Sequence, residues 1–117
     1  MKNIIKIISA ILVINCSLSI HSNAQTNLVI SGGDFVMNGN YLTLKNTKLI
    51  NNSSFQAGSA TVIIKGDAAK ANSVIDGSSV TTFYNLEINK TANGTQLGNN
   101  INIANKLTLA NGNIDIS

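Results

Sequence analysis

The sequence predicts an all-β protein, a right-handed parallel β-helix of roughly four coils, and three observations predict it. Apolar and polar residues alternate in many short runs, as in Asn85-Leu86-Glu87-Ile88-Asn89, Ile101-Asn102-Ile103 and Leu107-Thr108-Leu109. That is the period of a strand with one buried face. Between the runs stand Asn and Gly clusters, which accept the left-handed backbone of sharp corners at low cost. A self-similar unit also shows through, the mark of a fold in which each coil stacks on the next.

The stretch 1–24 is not part of that fold. Met1-Lys2-Asn3-Ile4-Ile5-Lys6 makes a positive start, 7–14 is a short apolar run, and Ser22-Asn23-Ala24 places small residues where a signal peptidase reads. This predicts a secretory signal peptide cut between Ala24 and Gln25. A membrane helix needs about 20 apolar residues, and Asn15, Ser17, Ser19 and His21 interrupt this run. A lipoprotein reading of Cys16 needs a small residue before it, and Asn15 fits poorly. The mature chain is expected to be a β-solenoid domain, 25–117, with no membrane span.

Removing the leader removes the only Cys, the only His and two of the eight basic residues, all of which are Lys. Six Lys then face five acids, and the net charge falls near +1. Disulfides are impossible in the mature chain, although an extracellular compartment permits them. Without Arg and without clustered Lys there is no nucleic-acid footprint.

From Gln25 onward the predicted strands are 28–30, 35–37, 41–45, 48–50, 54–57, 61–65, 73–75, 82–89, 101–103, 106–109 and 113–116. Their turns carry Gly32-Gly33, Asn38-Gly39-Asn40, Asn51-Asn52, Asp76-Gly77, Asn93-Gly94, Gly98-Asn99-Asn100 and Asn111-Gly112. A helical turn is conceivable only over 66–71. The repeat reads Leu42-Thr43-Leu44-Lys45-Asn46-Thr47-Lys48-Leu49-Ile50 against Leu107-Thr108-Leu109-Ala110-Asn111-Gly112-Asn113-Ile114-Asp115. Upstream, Asn27-Leu28-Val29-Ile30 aligns with Asn85-Leu86-Glu87-Ile88, and the longer second lead-in, around Thr95-Gln96-Leu97-Gly98, reads as an inserted side. Asn-Gly turns between alternating runs are also hairpin signals, so an antiparallel β-sandwich is the alternative. The solenoid additionally explains very short strands and small polar corners, and it predicts columns of Leu, Ile and Val inside and hydrogen-bonded Asn ladders at the corners.

The run Ala60-Thr61-Val62-Ile63-Ile64-Lys65-Gly66, then Val74-Ile75-Asp76-Gly77, then Thr82-Phe83-Tyr84-Asn85-Leu86-Glu87-Ile88-Asn89, then Leu107-Thr108-Leu109-Ala110-Asn111-Gly112-Asn113, resembles a recurring unit of adhesin-like β-helical surface proteins of Bacteroidota type. The resemblance covers about 60–116 and is most specific at 82–89. It implies a β-helical architecture and a secreted or cell-surface location, not a catalytic activity. Such proteins often end in a sorting domain for type IX secretion, and the sequence to Ser117 contains none. The chain is therefore expected to be an incomplete N-terminal fragment of a longer repeat array.

Chemistry-bearing residues are few. No Cys, His or Arg remains for thiol, imidazole or guanidinium work, or for a zinc site. Carboxylate-pair catalysis needs two acids held across a bond, but Asp34, Asp67, Asp76, Glu87 and Asp115 are scattered, and the first three adjoin glycines, where Asp serves turns. No run matches a calcium loop. The sequence thus predicts no catalytic, cofactor or metal residues. Phe83 and Tyr84 are strand neighbours and face opposite ways. Strict parity groups Tyr84 with Leu86 and Ile88, whereas polarity buries Phe83, and a bulge near Tyr84 reconciles the two. An exposed Tyr84 is either a surface contact that stacks on a sugar ring or a Tyr capping the end of the core.

The expected function is that of a secreted, non-enzymatic, adhesin-like spacer or binding surface whose partners are glycans or surface proteins. The alternative is a carbohydrate-binding module or the remnant of a polysaccharide-degrading β-helix enzyme. Leu107, Leu109, Ile114 and Ile116 are expected to line a final coil with nothing stacked beneath it, an edge that promotes self-association in a truncated array.

Overall fold

The computed structural model describes residues 26–67 and 72–116. The leader, its cleavage residues Ala24 and Gln25, Cys16, and most of the conceivable helical turn, 68–71, lie outside the described residues. Eleven strands follow one another with no helix among the described residues. The first coil is β1 (Thr26–Ile30), β2 (Asp34–Val36) and β3 (Tyr41–Lys45). The second is β4 (Thr47–Asn51), β5 (Ser54–Gln56) and β6 (Thr61–Gly66). In the third and fourth, β7 (Ser73–Asp76) is followed by the long β8 (Thr81–Lys90), and β9 (Thr95–Leu97) by the long β10 (Ile101–Asn111); β11 (Ile114–Asp115) opens another.

Each strand pairs with its equivalent one coil away, and every pairing is parallel. One sheet runs β1-β4-β7-β9-β11, the second β10-β8-β6-β3, and a third face holds β2 and β5. The chain is a β-solenoid of about four turns, as the short strands and small corners predict. The antiparallel sandwich is excluded, because a hairpin fold pairs strands adjacent in sequence. Here Leu28 lies beside Leu49 and Tyr41 beside Thr61, each pair separated by a whole coil of chain.

This register turns the alternation into columns. Leu49 stacks between Leu28 and Ile75, and Ile75 meets Leu97. In the second sheet Leu42, Val62, Leu86 and Leu107 form one column and Leu44, Ile64, Ile88 and Leu109 another. On the third face the Phe35 and Phe55 rings stack with centroids 5.5 Å apart, and Phe55 meets Phe83 edge-on at 5.5 Å. Each fully buried Leu, Ile or Phe contributes about 1.5–3 kcal/mol from area removed from water.

The corner in β8 resolves the Phe83–Tyr84 question. Thr81 and Phe83 point inward, Tyr84 and Asn85 do not, and Leu86, Ile88 and Lys90 point inward again. The alternation slips by one position where the strand passes from the third face into the second sheet. The partner strand β10 shifts register at the same place, between Ile103 and Lys106.

Two parts of the repeat reading are corrected. Leu28 and Leu86 are not equivalent: Leu28 belongs to the first sheet and Leu86 to the second. Their Asn-Leu-x-Ile likeness reflects the alternation that every inward strand shares. Thr95–Leu97 is no inserted side but β9, the regular first-sheet strand of its coil, paired with β7 of the coil before. The longer step lies between β4 and β7, from Leu49 to Ile75; the steps from Leu28 to Leu49 and from Ile75 to Leu97 are both shorter. Likewise 101–103 and 106–109 belong to one strand, Ile101–Asn111, whose pairing with β8 resumes after a register shift at the corner between them.

Candidate functional site

Polar side chains on the outer faces bond along the stack, beside exposed apolar residues such as Val29 and Val36. Asn105 Nδ2 donates to Asn85 Oδ1 at 2.7 Å, and Asn85 Nδ2 donates to Thr61 Oγ1 at 3.2 Å. Asn111 Nδ2 donates to Asn89 Oδ1 at 3.0 Å. On the third face Asn102 Nδ2 reaches Thr82 Oγ1 at 3.4 Å. These are the predicted Asn ladders, each linking positions one coil apart. Tyr84 stands on this exterior, 36% exposed, two residues from the exposed Thr82 on the same strand.

The acids are not brought together. Asp34 accepts from Gln56 Nε2 at 3.3 Å, Glu87 from Asn89 Nδ2 at 3.4 Å, and Asp76 from the Gly77 amide at 2.8 Å. Asp76 also lies 3.8 Å from Lys48 Nζ. Among the described residues no three His, Cys, Asp or Glu side chains gather as a metal site would require. Asp76 serves a turn, as its neighbouring Gly77 indicates, Asp34 bonds across one coil, and Glu87 bonds within its own strand.

One polar cluster escaped the sequence reading. Lys90, just beyond the predicted strand 82–89, is the last residue of β8 and turns inward, only 1% exposed. Its Nζ donates to Ser73 Oγ at 3.1 Å. Room for it comes from two glycines. A Cβ on Gly66 would lie 3.1 Å from Lys90 Cε and 2.8 Å from Asn46 Oδ1, and one on Gly112 would lie 3.3 Å from Lys90 Cβ. The usable signal was Gly66 and Gly112 at equivalent positions one coil either side of Lys90. Burial lowers the Lys90 pKa, and the Asp67 carboxylate pulls it back in part. A hydroxyl beside an amine is a nucleophile–base pair in principle. Ser73 is as deeply buried as Lys90, so no substrate reaches it and the pair is architectural. In the same interior Thr95 Oγ1 is buried with no hydrogen-bond partner among the described residues.

The far end of the stack is a third feature. Leu109 is 53% exposed and Ile116 84% exposed, whereas their counterparts Ile88 and Leu49 inside the stack are fully buried. With Leu97, Ile101, Leu107 and Ile114 they line an apolar hollow. Among the described residues no helix is long and apolar enough to cross a membrane. No family model, no curated protein and no solved structure matches this chain.

Proposed function

We propose that this chain is a secreted, non-enzymatic segment of an adhesin-like surface protein, acting as a stiff spacer that presents its outer faces. The observation that carries the reading is the continuity of the columns. The same inward positions are filled coil after coil, so the stack transmits load along its axis through many parallel ladders and needs no central active cavity. The resemblance of 60–116 to Bacteroidota surface repeats supports export and a cell-surface setting, with type IX secretion as the route. The acids are dispersed and offer no pair poised for hydrolysis.

The exposed Tyr84, beside the Asn102–Thr82 bond, favours a second reading, a carbohydrate-binding module. Aromatic rings and side-chain amides are the groups that hold neutral sugars. A glycan array and a reducing-sugar release assay separate the readings. Cleavage of any polysaccharide sinks the non-enzymatic reading. Neutral-glycan binding abolished by Tyr84→Ala selects the module, and absence of both outcomes leaves the spacer.

A further inference from the structure

At the corner where the second sheet ends, Lys45 and Lys65 lie directly beside each other in register on β3 and β6. Both are exposed, and both line one groove together with Gly66, Asp67, Asn89 and Thr91. In-register neighbours on one sheet face lie about 4.8 Å apart at the backbone, and like charges in that arrangement repel. Among the described residues no carboxylate stands at ion-pair distance from either one. Behind the Gly66 wall the buried Lys90 adds a third amine, with its Nζ 3.2 Å from the place a Gly66 Cβ would occupy. The opposing charge is Asp67, at the rim and acting on Lys90. Glu87 sits two residues inboard on the same outer face, beside Ile63, and accepts from Asn89.

We propose that this groove binds the anionic group of an acidic polysaccharide, a sulfate or a carboxylate, between the Lys45 and Lys65 ammonium groups. An oxyanion there replaces the repulsion of the two ammonium groups with two charge-assisted hydrogen bonds. The surrounding surface suits a sugar chain. Thr43 and the 70%-exposed Tyr41 continue from Lys45 along the outer side of β3, and Asn89 and Asn111 continue the lysine column along the stack. Two aligned lysines are too few for the row of phosphate contacts that a nucleic acid requires. The proposal deepens the presenting-surface reading by naming a ligand class, and it rests on that reading only for the source of the polymer.

The test is binding of the full chain to dextran sulfate, polygalacturonate, neutral dextran, single-stranded DNA and sodium sulfate, followed by calorimetry and lysine side-chain NMR. Lys45→Gln/Lys65→Gln is compared with Lys48→Gln/Lys106→Gln, which removes the same charge elsewhere. The expected result is binding to at least one acidic glycan and none to neutral dextran. The first pair should weaken it about tenfold or more and the second much less. Sodium sulfate alone should shift the Lys45 and Lys65 signals; if it does so as strongly as the polymers, the site stands and belongs to a free oxyanion. Equal loss in the two variant pairs, preference for DNA, or no lysine shift with any anion overturns the proposal. None of these outcomes bears on polysaccharide cleavage, so the spacer reading is tested separately.

Discussion

Replacing Gly77 by Ala tests the packing of one coil against the next. Gly77 has a φ of +124°, and a Cβ there would lie 2.1 Å from the backbone O of Asn51 and 2.5 Å from its C and N. No rotamer escapes this overlap, since the obstacle is main chain. Two costs follow. A non-glycine residue in this region of φ costs about 1–3 kcal/mol by itself. Moving Asn51 then disturbs a fully buried side chain that donates to Thr81 Oγ1 at 3.1 Å, and a carbonyl that accepts from Ser79 N at 2.9 Å. Weakening two buried hydrogen bonds adds about 1–3 kcal/mol. The sum, roughly 2–6 kcal/mol, is a large part of the 5–15 kcal/mol that holds a typical domain. Gly33→Ala is the control, because its Cβ meets nothing within 4 Å and its φ is not positive. Urea unfolding followed by circular dichroism should show Gly77→Ala with a much lower midpoint and an unchanged slope. Gly33→Ala should stay within about 0.5 kcal/mol of the parent. Equal midpoints for the two variants would refute the close approach of the β7 corner to β4.

Three further outcomes are expected. Burial lowers the Lys90 pKa below its ordinary 10.5. The unfolded chain therefore binds more protons between the folded and unfolded values, and stability rises with pH across that window; Lys90→Met should remove the rise in pH-dependent denaturation curves. Thr95→Val deletes a buried hydroxyl with no partner among the described residues and should raise stability by about 1 kcal/mol in the same assay; a loss of similar size would mean the hydroxyl is satisfied in solution. Leu107 and Leu109 are exposed on the final long strand, so the chain should self-associate at micromolar concentration in analytical ultracentrifugation. Leu107→Lys/Leu109→Lys should favour the monomer, and a parent that already sediments as a monomer would contradict the open-edge argument.

Much of the fold was legible because a solenoid writes its long-range contacts into local pattern. The alternation Leu86-Glu87-Ile88 states which side chains face inward, and Asp76-Gly77 and Asn111-Gly112 mark corners where φ is positive at the glycine. Pairing register was less legible. The likeness of 27–30 to 85–88 is real in sequence but joins two different faces, because every inward strand satisfies the same apolar alternation. Phe83 needed the corner slip, which two neighbouring aromatics suggest without fixing it. Lys90 was hidden for a different reason. A lysine after an alternating run reads as solvated, and only the glycines above and below it in space give it a place inside. Of the surfaces, the exposure of Tyr84 was readable from polarity, since its hydroxyl and not the Phe83 ring has a use for water. The Lys45–Lys65 pair was not, because the two become neighbours only once the coil length is known.

The parallel stack itself is most directly tested by interstrand nuclear Overhauser contacts in a uniformly labelled sample. The register places Leu44, Ile64 and Ile88 side by side, and Val62 beside Leu86 of the next coil. The account predicts amide and side-chain contacts along those columns and the pattern of parallel ladders at every pairing. Close Cα-proton pairs across a hairpin, joining 101–103 to 106–109 or β3 to β4, would contradict it and return the chain to an antiparallel sandwich.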